Sequence, residues 1–167
     1  MKRRVARLSL AAVLLATVIF ADAAAAANAL GEDDLDRASA FQDKVLAKQG
    51  NFNDATTGAI PHEYDYDCLD RMSLIVSKLQ NDSQGVFLLV GLSTLMMHRD
   101  DELSVNKMLA SLLRSQQKFA ERMTASLNQI RGSCARSAVT NSFAAEFISL
   151  IEEGVQMRAR LLKKIGG

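Results

Sequence analysis

Apolar residues recur along this chain at three- and four-residue steps, and no segment shows the alternation of a half-buried strand. Leu35, Ala38, Phe41 and Val45 form the first such stripe. It follows Glu32, Asp33, Asp34 and Asp36, whose carboxylates suit the positive end of a helix dipole. Gly50 reads as a stop signal, so the spacing predicts a short helix within 28–50. Residues 51–66 read as a polar loop rich in Asn, Asp, Thr and Gly, with Phe52 and Ile60 as its anchors on the core.

From Cys68 the pattern lengthens. Positions 68, 72, 75, 79, 82, 86, 89, 93 and 96 keep heptad spacing, with Asp82 and Ser93 as polar exceptions. That phase carries across the polar stretch 81–85 and predicts one kinked helix over 66–98. Val86 to Val90 is apolar on every side and is expected to be the most buried part of the fold.

A third helix follows Asp100, Asp101 and Glu102. Its seam is Val105, Leu109, Leu112, Phe119, Met123 and Ile130, with Gln116 as the polar break and Gly132 at the end. The fourth runs from Ser133 toward Ile165, with Val139, Phe143, Phe147, Leu150, Met157, Leu161 and Ile165 in its seam. Gly154 falls where a neighbouring backbone can come close. Leu113, Ile148 and Leu162 lie outside these stripes and are left over for an interface. The expected fold is all-α: an antiparallel up-down bundle of three long helices, 67–167, plus one shorter N-terminal helix.

The first thirty residues change the picture. Lys2, Arg3, Arg4 and Arg7 precede an apolar run from Leu8 to Phe20, and alanines follow to Ala29. This is the layout of a secretory leader, expected to end at Ala27 and leave a single helical domain over 28–167. The apolar run falls short of the ~20 residues that cross a bilayer, so the mature chain is expected to carry no transmembrane segment. The protein is expected to be exported, periplasmic or secreted.

An oxidising compartment turns the two cysteines, Cys68 and Cys134, into one disulfide. The bridge needs Cα atoms within about 7 Å. If 66–98 were two short antiparallel helices, Cys134 would lie ~45 Å away at about 1.5 Å per residue. One continuous helix instead brings both sulfurs to the same end.

Without the leader, sixteen basic residues face eighteen acidic ones, a net charge of −2. They are unevenly spread. Residues 28–102 hold six basic and fourteen acidic groups, while residues 103–167 hold ten and four. The expected outcome is complementary packing of the two halves; the other reading is a basic face for anionic lipid or a cell-wall polymer. No nucleic-acid partner is expected, because basic and aromatic residues do not interleave.

Candidate chemistry is sparse. His62, Glu63, Tyr64, Asp65, Tyr66 and Asp67 form the one candidate recognition patch, read beside a simpler role in helix capping and loop packing. Met96, Met97 and His98 are adjacent on a helix and do not face one way, so copper is not expected. The chain has no Cys-x-x-Cys-His, Gly-rich phosphate loop or His-Glu-x-x-His. No cofactor, metal or catalysis is expected. The sequence points to a non-catalytic exported helical protein that binds another envelope protein or itself. The alternative is a small-ligand or metal carrier, its site in the bundle core or under the 50–67 segment.

Overall fold

The computed structural model describes residues 30–57, 66–96, 102–134 and 137–166. The proposed leader, His62 to Asp65, Met97 and His98 lie outside them. Four helices follow one another: α1 Glu32–Thr57, α2 Tyr66–Met96, α3 Glu102–Ser133 and α4 Ala138–Lys164. All the elements among the described residues are helical, and they pack as a bundle. Ion pairs and the disulfide fix the directions. Cys68 at the start of α2 meets Cys134 just past the end of α3. Lys164 at the end of α4 meets Asp34 at the start of α1. The arrangement is up-down-up-down, with α2 and α4 also in contact across the middle.

α1 is longer than its sequence suggests. The stop expected at Gly50 and the loop expected from 51 are corrected here, because the helix runs on to Thr57. Gly in a helix interior costs about 1 kcal/mol relative to Ala. Phe52 outweighs that. It is buried, with its ring edge-on to Phe143 and Phe147 at centroid distances of 5.3 and 6.1 Å. Burying a Phe stabilises by about 1.5–3 kcal/mol, and each aromatic pair adds roughly 0.5–1.5. Thr56 and Thr57 then donate their hydroxyls to the carbonyls of Phe52 and Asn53, holding the last turn.

α2 is continuous through 81–85, as its heptad phase predicts. The Cα atoms of Cys68 and Cys134 are 6.0 Å apart. Nearby, the Ser137 hydroxyl accepts the Thr140 N–H to cap α4, and the Asn141 amide donates to the Cys134 carbonyl. The disulfide thus anchors the start of α2 at the turn between α3 and α4.

The α3 seam is rotated from the expected one. Leu109, Ala110, Leu113, Ala120, Met123, Leu127 and Ile130 are buried, while Leu112 and Phe119 face solvent. Leu113, expected to be left over, is a core residue. Ala120 takes a core position while the larger Phe119 beside it is turned outward. The run Val86–Val90 is likewise divided: Val86 and Val90 are buried, yet Leu88 is 52% exposed.

Candidate functional site

The core falls into two apolar clusters. One gathers Met72, Leu79, Ala120, Phe147 and Ile151 around the disulfide end. The other gathers Val86, Val90, Leu113, Leu161 and Ile165 toward the opposite end. Between them lies a polar layer. Arg158 Nη1 donates to Asp82 Oδ2 at 2.6 Å, with both side chains almost fully buried. Burial pushes the Asp82 carboxyl above its usual value, while the charge and the hydrogen bond of Arg158 pull it down; the net direction is up. Asp82 Oδ1, Arg158 Nε and Nη2, and Gln116 Oε1 have no hydrogen-bond partner among the described residues. Packing there is tight. A Cβ on Gly154 would sit 2.8 Å from Phe41 Cζ, and one on Gly85 would sit 2.6 Å from Gln116 Nε2. The layer pins α2 to α4.

The same contact at Gly85 orients the outer surface. Gln116 points from α3 toward α2, so Leu112 and Phe119, four before and three after it, flank that seam. Gly85 points from α2 toward α3, so Leu88 and Leu92, three and seven after it, flank the seam from the other side. Leu95 continues the α2 row, and Met108 the α3 row. These six residues are between 36% and 78% exposed. Cys68 opposite Cys134 and Gly85 opposite Gln116 set a register in which level positions add to about 201. Leu88 is therefore level with Leu112, and Leu92 with Met108. The two rows form one apolar face.

Cations border it. Lys118 and Arg122 follow Ser115 and Phe119 by three along exposed α3, Arg114 precedes Lys118 by four, and Lys107 precedes Arg114 by seven. Lys78 on α2 lies seven before Gly85. None of these five has an ion-pair partner among the described residues. From Leu74 to Met96 the one carboxylate is the buried Asp82, and from Ser104 to Arg131 it is Glu121. Glu121 comes three after Lys118 and seven after Arg114, so it stands beside those cations, and it also borders a cleft of about 380 Å³ with Thr124, Ile151, Glu152, Val155 and Gln156.

This surface differs from the sequence-derived candidates. Cys68 and Cys134 are joined as expected. Of the patch 62–67, the described members are Tyr66, 62% exposed, and Asp67, which lies 3.8 Å from Arg71. Ile148 and Leu162 pack partly against the two core clusters. Complementary charge between the halves also holds only in part. Lys164–Asp34 and Arg158–Asp82 run in the expected sense, while Lys44–Glu153 and Lys48–Glu146 run in the reverse one. Sequence reasoning missed the α2–α3 face because it assigned Leu112 and Phe119 to the core. The available signal was the run 86–90, which cannot bury all of its sides on one helix.

Among the described residues no group of three or more His, Cys, Asp or Glu is placed to hold a metal ion, and no helix is long and apolar enough to cross a membrane. Comparison with protein-family models, with curated proteins and with solved structures finds no match.

Proposed function

We propose that this chain is a non-catalytic exported module that binds another component of the cell envelope through the outer α2–α3 face. One observation carries the reading: Leu88, Leu92, Leu95, Met108, Leu112 and Phe119 are exposed together on a bundle that has already buried two complete apolar clusters. An apolar face of that extent commonly marks an interaction site. The Cys68–Cys134 bridge supports export, since such bonds persist in oxidising compartments.

The test is site-specific photocrosslinking in the producing cell, with the photoreactive residue at position 92 or at the exposed α1 position 37. The reading expects a discrete adduct from 92 and none from 37. Equal labelling from both positions, or none from either, refutes it.

A second reading, a carrier of small cationic amphiphiles, draws on the α3–α4 cleft, where Glu121 and Glu152 border Ile151 and Val155. Its volume of about 380 Å³ falls in the range of ligand sites. Native mass spectrometry of the purified protein would show the bound small mass this reading requires.

A further inference from the structure

We infer that the component recognised by the α2–α3 face is an anionic lipid surface, on which the bundle lies flat with its α2–α3 side down. The inference rests on the binding role proposed for that face and adds the identity of its occupant. Three observations carry it.

The first is charge. Lys78, Lys107, Arg114, Lys118 and Arg122 have no ion-pair partners among the described residues, and the stretches 74–96 and 104–131 set one exposed carboxylate, Glu121, against them. Elsewhere Lys44, Lys48 and Lys164 each meet a carboxylate, while Arg37, Arg160 and Lys163 do not. A cationic border unmatched within the molecule complements a negative surface outside it.

The second is shape. The Gln116 side chain fills the seam over Gly85, so the two apolar rows stand on either side of a closed seam. A partner helix needs a trough into which it can lay its own apolar ridge. A cleft on the α3–α4 side is bordered by carboxylates instead. Two parallel rows of Leu, Met and Phe suit shallow insertion among acyl chains.

The third is chemistry along one line. From Met108 to Arg122, over about 20 Å of helix, α3 presents Met108, Leu112 and Phe119 on one flank and Arg114, Lys118 and Arg122 on the other. Apolar residues at the acyl boundary with Lys and Arg reaching headgroups is the arrangement of interfacial helices. Since no described helix can cross a membrane, the contact is peripheral.

Vesicle flotation of the purified, oxidised protein tests this with phosphatidylcholine alone and with phosphatidylcholine containing phosphatidylglycerol. Binding to the mixed vesicles is expected, falling several-fold in high salt. The K118Q/R122Q variant should bind about tenfold more weakly or worse, at roughly 1 kcal/mol per surface cation. The L92S/L112S variant should lose binding while its thermal midpoint stays within a few degrees of wild type. The lipid inference is overturned if the wild type binds neutral and mixed vesicles equally, or binds neither, or if both variants float like the wild type. If flotation fails while position 92 crosslinks to a protein partner or a second copy, the lipid inference falls and the binding role stands. If position 92 captures nothing, both fall.

Discussion

The α1–α4 face and the α2–α3 face of this bundle solve the same problem in opposite ways. On the first, Lys44 meets Glu153, Lys48 meets Glu146 and Lys164 meets the buried Asp34, so three ion pairs tie α1 to α4, although Arg37 and Arg160 on the same rows have none among the described residues. On the second, cations stand unmatched beside exposed Leu, Met and Phe. Both faces rest on one core, so core demands do not explain the difference. Ion pairs lace the first face together; the second combines unmatched cations with exposed apolar area, the pairing expected of a contact surface.

The largest expected effect comes from the layer that supports both faces. Breaking the Asp82–Arg158 pair from one side, by D82L or R158M, leaves a buried charge alone and should cost about 3–5 kcal/mol in urea unfolding. The D82L/R158M double variant should recover most of that. If the losses of the two single variants simply add in the double, the pair is not the coupled unit described here.

The disulfide comes next. Closing a loop of about 65 residues stabilises by roughly 4 kcal/mol through the unfolded chain. Cys68→Ser should lower the thermal midpoint under oxidising conditions and change little under reductant; equal loss in both would remove the bridge from the account. Gly154→Ala should cost about 1–3 kcal/mol, because its methyl would press on Phe41 Cζ at the α1–α4 contact. A neutral result would show that Phe41 yields freely.

A pH series sharpens the same layer. Burial raises the pKa of Asp82, so ionising it costs the folded state more than the unfolded chain. Its contribution to stability is therefore fullest below the ordinary value of 3.8 and is lost as pH rises through the higher folded value. Replacing it with Asn removes that falling component. Urea midpoints measured from pH 4 to 7 should climb more steeply, or fall less, for D82N than for wild type. Parallel curves would mean that Arg158 offsets burial completely.

The smallest stability effects separate the two faces directly. K44Q/K48Q should cost about 0.2–1 kcal/mol for each exposed pair removed. K118Q/R122Q should leave stability within about 0.5 kcal/mol, because no internal partner is lost. A similar cost for both variants would erase the distinction between them.

Much of the framework was legible in residue spacing. The heptad phase from Cys68 to Met96 identified one long α2, and the two cysteines fixed which helix ends meet. What escaped was the rotation of helices about their own axes. In Leu112-Leu113 and Phe119-Ala120 an apolar pair offers two phases, and spacing alone does not tell that Leu113 and Ala120 are the members buried. Gly50 misled for a related reason: a local stop signal worth about 1 kcal/mol was outweighed by the distant Phe143 and Phe147. Asp82 and Gln116 were visible as breaks in apolar seams. Arg158, the partner of Asp82, falls on the row 147, 151, 154, 158, 161 that α4 buries, but a charged side chain gives no apolar signal there.

The chain contains no tryptophan, so a single one introduced by substitution reports its own surroundings. Leu92→Trp places it on the outer α2–α3 face, and Arg37→Trp places it at an exposed position of α1. On adding vesicles that contain phosphatidylglycerol, the emission from position 92 should shift to the blue while that from position 37 stays put. Equal shifts at both positions, or none at either, would contradict the claim that the α2–α3 face is the working surface of this protein.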